Sequence, residues 1–418
     1  MAAKKSALPG IGAARVKVLL ILLPLLVIDF VAVAQEREGE FFVGLAALYL
    51  TSFITAAAAF ATGRFLRGRV VFARIGLGPV VKRSVVGDRL VVRRALPIAV
   101  SGLILPGPAR FGRDWRLINL TGTAISTVLM VVGAVTLPLY GALTYCWGLG
   151  LVLAVVLSTR DPLAGRFLAA RVFTRPTPRN DPVLADPRRT AAERAVVDAQ
   201  FGDFIAAERT LEELRATSSR PEEGIALLES EILAARGDFV AALRVEMPLA
   251  PDAPPALAAA RTARHQARTA KLLLLAAEQN PARAAQAVPM ARNQLKKLAA
   301  TPYRASADRS GRSLLALQTG DPTIAAREAR IALALARTPL TTADALCALA
   351  VASSMQGKAK AARASLDQAA RLAPWYPRLT TVQRIIATRA GTAVLPPVDA
   401  AADTSSVFDD PWSAPSRD

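Results

Sequence analysis

The sequence predicts a mainly helical chain in two parts. The first is a polytopic helical membrane domain with a small β-hairpin, and the second is a soluble stack of helical hairpins. Hydrophobic residues make up 52% of the 418 residues although the formal net charge is +19, so apolar and charged residues must be segregated along the chain. Every long uncharged run lies within residues 1–160. Beyond about residue 190 the chain is rich in alanine and arginine, and turn glycines recur there 35 and 37 residues apart.

Four apolar runs are candidate membrane helices, at about 18–34, 41–62, 117–137 and 140–159. The first is short, and a cleaved secretory signal peptide is the alternative, since Ala32-Val33-Ala34 resembles a cleavage site. The loop 64–94 carries nine Lys and Arg residues against one Asp, so the positive-inside rule makes it cytoplasmic. We therefore expect residues 1–172 to form a multi-pass domain of the cell membrane, with both chain termini in the cytoplasm.

The basic loop 64–94 is expected to contact anionic lipid headgroups, because charge beside a membrane helix is typical of topology signals. We expect no nucleic acid partner. The chain has one histidine, His265, which excludes zinc sites with paired histidines and most catalytic arrangements built on imidazole. Its two cysteines, Cys146 and Cys347, lie in different parts of the chain, so neither a disulfide framework nor a metal cluster is expected. No cofactor is implied.

Between the second and third apolar runs the chain is β-prone and interrupted by glycine. Gly76-Leu77-Gly78-Pro79 breaks any helix, and residues 89–93 alternate basic with apolar side chains, which favours a β-hairpin. The uncharged residues 95–109 are too short and too rich in Pro and Gly to span a membrane. They predict a re-entrant segment that dips into the membrane against protein. Together the hairpin and this segment occupy about 68–109.

The order of these motifs resembles the site-2 protease family of intramembrane zinc metallopeptidases, over about residues 42–170. Gly76-Leu77-Gly78-Pro79 is similar to the family's GFGP-like turn, and Pro97 to Gly102 is similar to its PLGG-like loop. Gly122 to Thr127 stands where the family has a GPxxN helix start, and Asp161 to Arg166 lies near its DG metal ligand. The resemblance implies the family's membrane core.

The family's zinc motif is missing from this chain. By the family's spacing, HExxH should fall on residues 56–60, which are Ala-Ala-Ala-Ala-Phe. These side chains cannot hold zinc or activate a water molecule for attack. The resemblance therefore implies a pseudoenzyme, with no catalytic and no metal-binding residue. Tyr145 and Asp161 are possible relics of the polar site.

Peptide binding could survive the loss of zinc, because the family's hairpin presents a strand edge to extended peptide. Such pairing depends on backbone geometry rather than on particular side chains. A purely structural hairpin is the alternative. The residues of the possible peptide-binding hairpin are Gly76, Gly78, Pro79, Gly87, Arg89, Val91 and Arg93.

After a linker at 173–190, residues 191–390 are predicted to form tetratricopeptide-like helical repeats. Four turn glycines are each followed five residues later by alanine, which is typical of close helix packing in such hairpins. The glycine and alanine pairs are Gly202 and Ala207, Gly237 and Ala242, Gly320 and Ala325, and Gly357 and Ala362. Residues 256–300 lack the glycine and are interpreted as at best one or two degenerate repeats. The tail 391–418 has the composition of a disordered segment.

These features favour a non-catalytic membrane scaffold or adaptor that binds a protein or peptide partner through its cytoplasmic repeats. Helical stacks offer concave surfaces for partners and seldom carry chemistry. The alternative is a membrane subunit of an enzyme complex that matures a natural-product peptide by dehydration or epimerisation, which rests on architecture alone. A transporter component is less favoured, because the apolar runs hold almost no polar residues.

Overall fold

The computed structural model describes residues 38–66, 68–105, 111–158, 187–218, 222–245, 255–299 and 306–389. In that part of the chain it contains fourteen α-helices and two long β-strands, so the mainly helical prediction is confirmed. The predicted helix at 18–34, most of the linker 173–190, Asp161 and the tail 391–418 lie outside the described residues.

The elements follow one another in two groups. The first group is α1 (Glu38–Phe65), β1 (Arg69–Val86), β2 (Arg89–Leu105), α2 (Phe111–Thr136) and α3 (Leu139–Ser158). The second group, called the repeat domain below, is α4 (Pro187–Phe201), α5 (Phe204–Ala216), α6 (Glu223–Ala235), α7 (Phe239–Arg244), α8 (Pro255–Gln279), α9 (Ala284–Ala299), α10 (Ser306–Gln318), α11 (Pro322–Leu335), α12 (Pro339–Met355), α13 (Ala359–Leu372) and α14 (Arg378–Arg389).

Among the described residues, one helix is both long and apolar enough to cross a membrane, Gly39–Phe65 within α1. Shorter apolar helical stretches lie at Ala124–Thr136 and Pro339–Met355. α2 begins at Phe111, about six residues before the predicted start, and α3 nearly matches the predicted fourth apolar run. The multi-pass arrangement therefore stays a prediction.

The three helices α1, α2 and α3 pack against one another, and small residues and a hydrogen bond lie at their contacts. A Cβ atom on Gly133 would lie 2.0 Å from the ring of Tyr145, so α2 and α3 approach as closely as glycine allows. The Thr51 hydroxyl of α1 donates a hydrogen bond of 2.9 Å to the Tyr145 hydroxyl. Gly44 gives α1 the same close approach to Thr144 of α3.

The two strands form one antiparallel sheet that is folded back on itself. Residues 72–75 lie between two stretches of β2, because they pair with 100–103 on one side and with 90–93 on the other. Residues 80–86 pair with 89–94 only, so they form one edge of the sheet and are called the edge segment below.

The sheet corrects the re-entrant prediction over residues 95–105, whereas residues 106–109 lie outside the described residues. β2 continues to Leu105, and its end pairs with the start of β1, for example Leu105 with Arg69. Proline and glycine make this stretch a poor helix, but its β-branched residues and available backbone partner let it extend the sheet instead. Pairing with β1 on one side satisfies part of the backbone hydrogen-bonding groups of residues 96–105 that a re-entrant loop would have placed near lipid.

The repeat domain is built from helical hairpins whose turns repeat in detail. At each of the four turns the glycine has a φ between 72° and 86°. The backbone N–H of the residue after the glycine donates a hydrogen bond to the carbonyl five residues earlier, for example from Asp203 to Asp198 at 3.0 Å. The side chains of Asp203, Asp238 and Asp321 cap the following helices. All four predicted alanines are fully buried, and the hydroxyls of Ser230 and Ser313 donate to the carbonyls of Ala242 and Ala325.

The region without a turn glycine also forms a hairpin, from α8 and α9. Asn280 provides its turn, since the side-chain oxygen accepts a hydrogen bond from the N–H of Ala282. The second group therefore has five successive helix pairs and a final helix, α14, which is compatible with an α-solenoid.

The loop between α13 and α14 brings the end of the repeat domain back to its beginning. Trp375 stacks edge to face on Phe204, with ring centroids 5.3 Å apart. A Cβ atom on Gly202 would lie 2.4 Å from the indole nitrogen, and one on Gly237 would lie 2.9 Å from Pro377. The repeats are therefore tightly curled, with the last loop lying against the first two turns.

Candidate functional site

The sheet presents one face to the repeat domain, and this contact is the most distinctive feature of the described chain. Phe72, Leu90 and Val92 are each less than 10% exposed and belong to one apolar cluster with residues of α12, α13 and α14. Phe72 pairs with Leu90 across the sheet, so their side chains share a face. We call these three residues the docking patch.

A half-buried ion pair joins the same sheet to the first repeat helix. The Arg69 guanidinium donates to the carboxylate of Asp198 on α4, and its Cζ atom lies 5.2 Å from the centroid of the Phe201 ring. A second contact, 3.1 Å long, joins Arg69 Nε to Asp88 in the hairpin turn. Burial raises the pKa of Asp198 above its ordinary value, and the charge of Arg69 opposes that shift.

Beyond the docking patch the same face of the sheet becomes strongly basic. Arg74 and Arg83 both pair with Val92, one from each neighbouring segment, and Arg94 follows two residues after Val92. All three side chains therefore project from the face that carries the docking patch. Arg337, between α11 and α12, joins them from the repeat domain, since its Cζ atom lies 5.7 Å from the Phe72 ring centroid. These four residues are called the arginine cluster.

The arginine cluster carries charge that no carboxylate among the described residues neutralises. The Nε atoms of Arg74 and Arg94 are buried without an acceptor in the described part of the chain. Burial lowers the pKa of Arg74, and the positive charges of Arg94 and Arg337 lower it further. Burial and then Arg94 lower the pKa of Arg83 in the same way. The cluster is thus a concentrated positive potential at the boundary between sheet and repeats.

The edge segment lies beside this cluster and exposes apolar side chains. Val81 is 71% exposed and Val86 is 52% exposed. Among the described residues the edge segment has a backbone partner on one side only. An unpaired strand edge is a template on which an extended peptide can add as a further strand.

The residues predicted for peptide binding take several different positions in this sheet. Gly76 and Gly78 have φ of 99° and 83°, and Gly87, at the hairpin turn, has 60°. The carbonyl of Gly78 accepts a hydrogen bond of 2.9 Å from Arg94, which links this turn to the arginine cluster. Pro79 is exposed and precedes the edge segment.

The alternating run Arg89, Val91 and Arg93 lies on the opposite face from the docking patch, because residues of one strand alternate between faces. Both arginines are exposed there, whereas Val91 is buried. The sequence pattern thus located the hairpin but selected the face away from the repeats. Arg74, Arg83, Arg94 and Arg337 were not selected. Arg337 lies more than two hundred residues from the other three in the chain, so no local sequence pattern joins them.

The two possible relic residues have separate outcomes. Tyr145 is buried among α1, α2 and α3, where its hydrogen bond with Thr51 and its contact with Gly133 serve helix packing. Asp161 lies outside the described residues.

The position of the missing zinc motif, residues 56–60, is a regular turn of α1 whose side chains are half-buried or exposed. Within the described ranges no three His, Cys, Asp or Glu side chains are grouped as metal ligands.

Comparisons with known proteins give no match: no family model fits the chain, and neither a curated protein nor a solved structure is significantly similar to it.

Proposed function

We propose that this chain is a non-catalytic membrane scaffold whose cytoplasmic repeats hold a β-sheet at the membrane surface and bind a protein or peptide partner there. The observation that carries the proposal is the docking patch. Three apolar side chains of the sheet are buried in the core of the repeat domain, which makes sheet and repeats one recognition surface. A family relationship to site-2 proteases and to tetratricopeptide repeats belongs to the same proposal.

The membrane placement is supported by where large apolar side chains are exposed. On α1, Phe42, Leu50 and Phe53 are each at least 50% exposed, and Val135 on α2 is 80% exposed. Leu139 at the start of α3 is 65% exposed. Contiguous apolar surface on several adjacent helices is unfavourable in water and favourable in lipid. We propose that all three helices cross the membrane, with the predicted 18–34 helix as a fourth.

Partner binding is proposed at the edge segment, where main-chain pairing supplies affinity and neighbouring side chains supply selectivity. The repeats contribute by fixing the sheet, so the edge is preorganised and less conformational freedom is lost on binding. Arg89 and Arg93, on the other face, are proposed to contact anionic lipid headgroups together with the rest of the basic loop.

The test is photo-crosslinking of the full-length chain in its native membranes. A photoreactive residue replaces Val81 on the edge segment, and the control carries it at Ile205, which is 74% exposed on α5. The expected result is a discrete protein or peptide adduct from position 81 that is absent from position 205. Equal adduct patterns at both positions, or no adduct at position 81, would contradict the proposal.

A further inference from the structure

The arginine cluster has the geometry of a site for carboxylate groups. Neighbouring strands lie about 4.8 Å apart, so Arg74 and Arg83 on either side of Val92 have Cα atoms about 10 Å apart. Arg94 lies about 7 Å further along the strand, and Arg337 approaches from the repeat domain. Long guanidinium side chains from these positions can converge on one bound group.

The cluster costs stability unless an anion fills it. Three half-buried arginines lie together with Arg337, which is exposed, and the Nε donors of Arg74 and Arg94 lack acceptors among the described residues. Arginine retains its charge under these conditions, so relief must come from an anionic ligand rather than from loss of a proton.

The position of the cluster favours a narrow ligand over a lipid surface. Arg74, Arg83 and Arg94 are half-buried on the face that turns toward the repeats, whereas Arg89 and Arg93 on the opposite face are exposed. A planar membrane reaches the exposed pair more readily. A single extended peptide with carboxylates spaced along it can contact these half-buried arginines one after another.

Such a peptide is present in the chain itself. Residues 391–418 contain five aspartates and one arginine in a protein whose formal net charge is +19. Asp409 and Asp410 are adjacent, and Asp399 and Asp403 precede them at intervals that an extended chain can place along a basic groove.

The helix that precedes the tail, α14, shares an apolar cluster with the docking patch. α14 ends at Arg389, and its Val382, Ile385 and Ile386 belong to the same apolar cluster as Phe72. The twenty residues from Arg389 to Asp409 can span about 66 Å when extended, so their reach does not limit the contact. We propose that the arginine cluster is a binding site for a carboxylate-rich peptide and that residues 399–410 of this chain occupy it.

The experiment uses the purified full-length chain in nanodiscs of zwitterionic lipid, without any partner. Its result is therefore independent of the proposed scaffold function. A photoreactive residue replaces Val407, between the aspartates, and mass spectrometry maps the adducts. The expected adducts lie within residues 72–94 or at 336–338. Adducts to lipid or spread over the repeat surface would overturn the assignment.

Charge variants separate a specific site from general attraction. Asp409→Asn with Asp410→Asn changes only the tail and should lower the mapped adduct about tenfold, as expected when charge-assisted hydrogen bonds are lost. Arg83→Glu with Arg94→Glu should do the same, and adding Asp409→Arg with Asp410→Arg should restore the adduct. The matched control, Arg89→Glu with Arg93→Glu, makes the same charge change on the opposite face. An equal loss in that control, or no loss in the tail variant or in the cluster variant, would refute the site.

Discussion

Arg378 divides its guanidinium between two buried carboxylates on different helices. Its Nε and Nη2 atoms donate to Glu278 of α8 at 2.5 and 2.9 Å, and Nη1 donates to Asp344 of α12 at 2.7 Å. Lys271 and the Tyr376 hydroxyl complete the contacts of Asp344, at 2.9 and 3.0 Å. At the residue scale this network joins α8, α12 and α14, which are far apart in sequence.

Removing Arg378 should be strongly destabilising, because Glu278 and Asp344 would remain buried without their shared partner. Arg378→Met should lower the free energy of unfolding by about 3–5 kcal/mol. In a Cys146→Ala background Cys347 can report the change: the thiol is buried and burial raises its pKa to about 12, so a maleimide reacts with it only after unfolding. Arg371→Met, at an exposed position of α13, is the control and should label at the wild-type rate. Equal labelling of the two variants would show that the network contributes little.

The same network predicts a stability change in acid. Burial alone would raise the pKa of Asp344, but Lys271 and Arg378 outweigh it and hold this pKa at about 2, below the ordinary 3.8. A carboxylate whose pKa is lower in the folded state stabilises the fold above its unfolded pKa, and that contribution is lost as pH falls through the folded value. Urea unfolding followed by circular dichroism should therefore weaken between about pH 4 and about pH 2. Asp344→Asn should flatten the dependence of stability on pH between about pH 4 and about pH 2. An unchanged slope in this variant would contradict the role given to Asp344.

At the scale of elements, the sheet and the repeat domain stabilise each other through the docking patch. Phe72 is 2% exposed, in one cluster with Cys347 and Tyr376. The guanidinium carbons of Arg74 and Arg337 lie 5.6 and 5.7 Å from its ring centroid. The ring is thus both an apolar anchor and a surface for two cations.

Phe72→Ala should loosen the sheet, since truncating a buried phenylalanine costs about 3–5 kcal/mol. The expected result is faster tryptic cleavage after the arginines of residues 69–94, together with faster labelling of Cys347. Val81→Ala, on the exposed edge segment, serves as the control and should change stability by less than about 0.5 kcal/mol. Cleavage of Phe72→Ala at the wild-type rate would mean that the sheet does not depend on this contact.

Elements with a local signal were predictable from the sequence, and contacts between distant elements were not. Gly237 with Ala242, and the corresponding pairs, predicted the hairpin turns because positive φ and close helix approach each restrict the residue type. The α8–α9 hairpin was only partly predicted, since Asn280 replaces glycine at its turn. The sequence located the β-sheet, but the predicted hairpin stopped before residue 95, whereas β2 continues to Leu105. The packing of the sheet on the repeat domain was not predicted. The contact between Arg69 and Asp198 spans 129 residues and has no local pattern.

At the scale of the whole molecule, the docking of the sheet constrains the membrane crossings that we propose. The sheet follows α1, and the repeat domain follows α3, yet the two are packed together, so the proposed membrane placement requires both to lie on one side of the bilayer. The helices α2 and α3 must then cross an even number of times. They form an antiparallel pair with a two-residue turn before Leu139, which fits one crossing out and one crossing back.

This arrangement predicts which surfaces a membrane-impermeant maleimide can reach. In a Cys146→Ala background, where buried Cys347 stays unreactive, single cysteines replace Asp88 in the hairpin turn, Leu139 between α2 and α3, and Ala364 on exposed α13. Asp88→Cys and Ala364→Cys should both be labelled in inside-out vesicles, because the basic loop 64–94 is predicted to be cytoplasmic. Leu139→Cys should be labelled only in right-side-out vesicles. Labelling of all three from one side would mean that α2 and α3 do not cross. Labelling of Asp88→Cys and Ala364→Cys from opposite sides would contradict the packing of sheet against repeats.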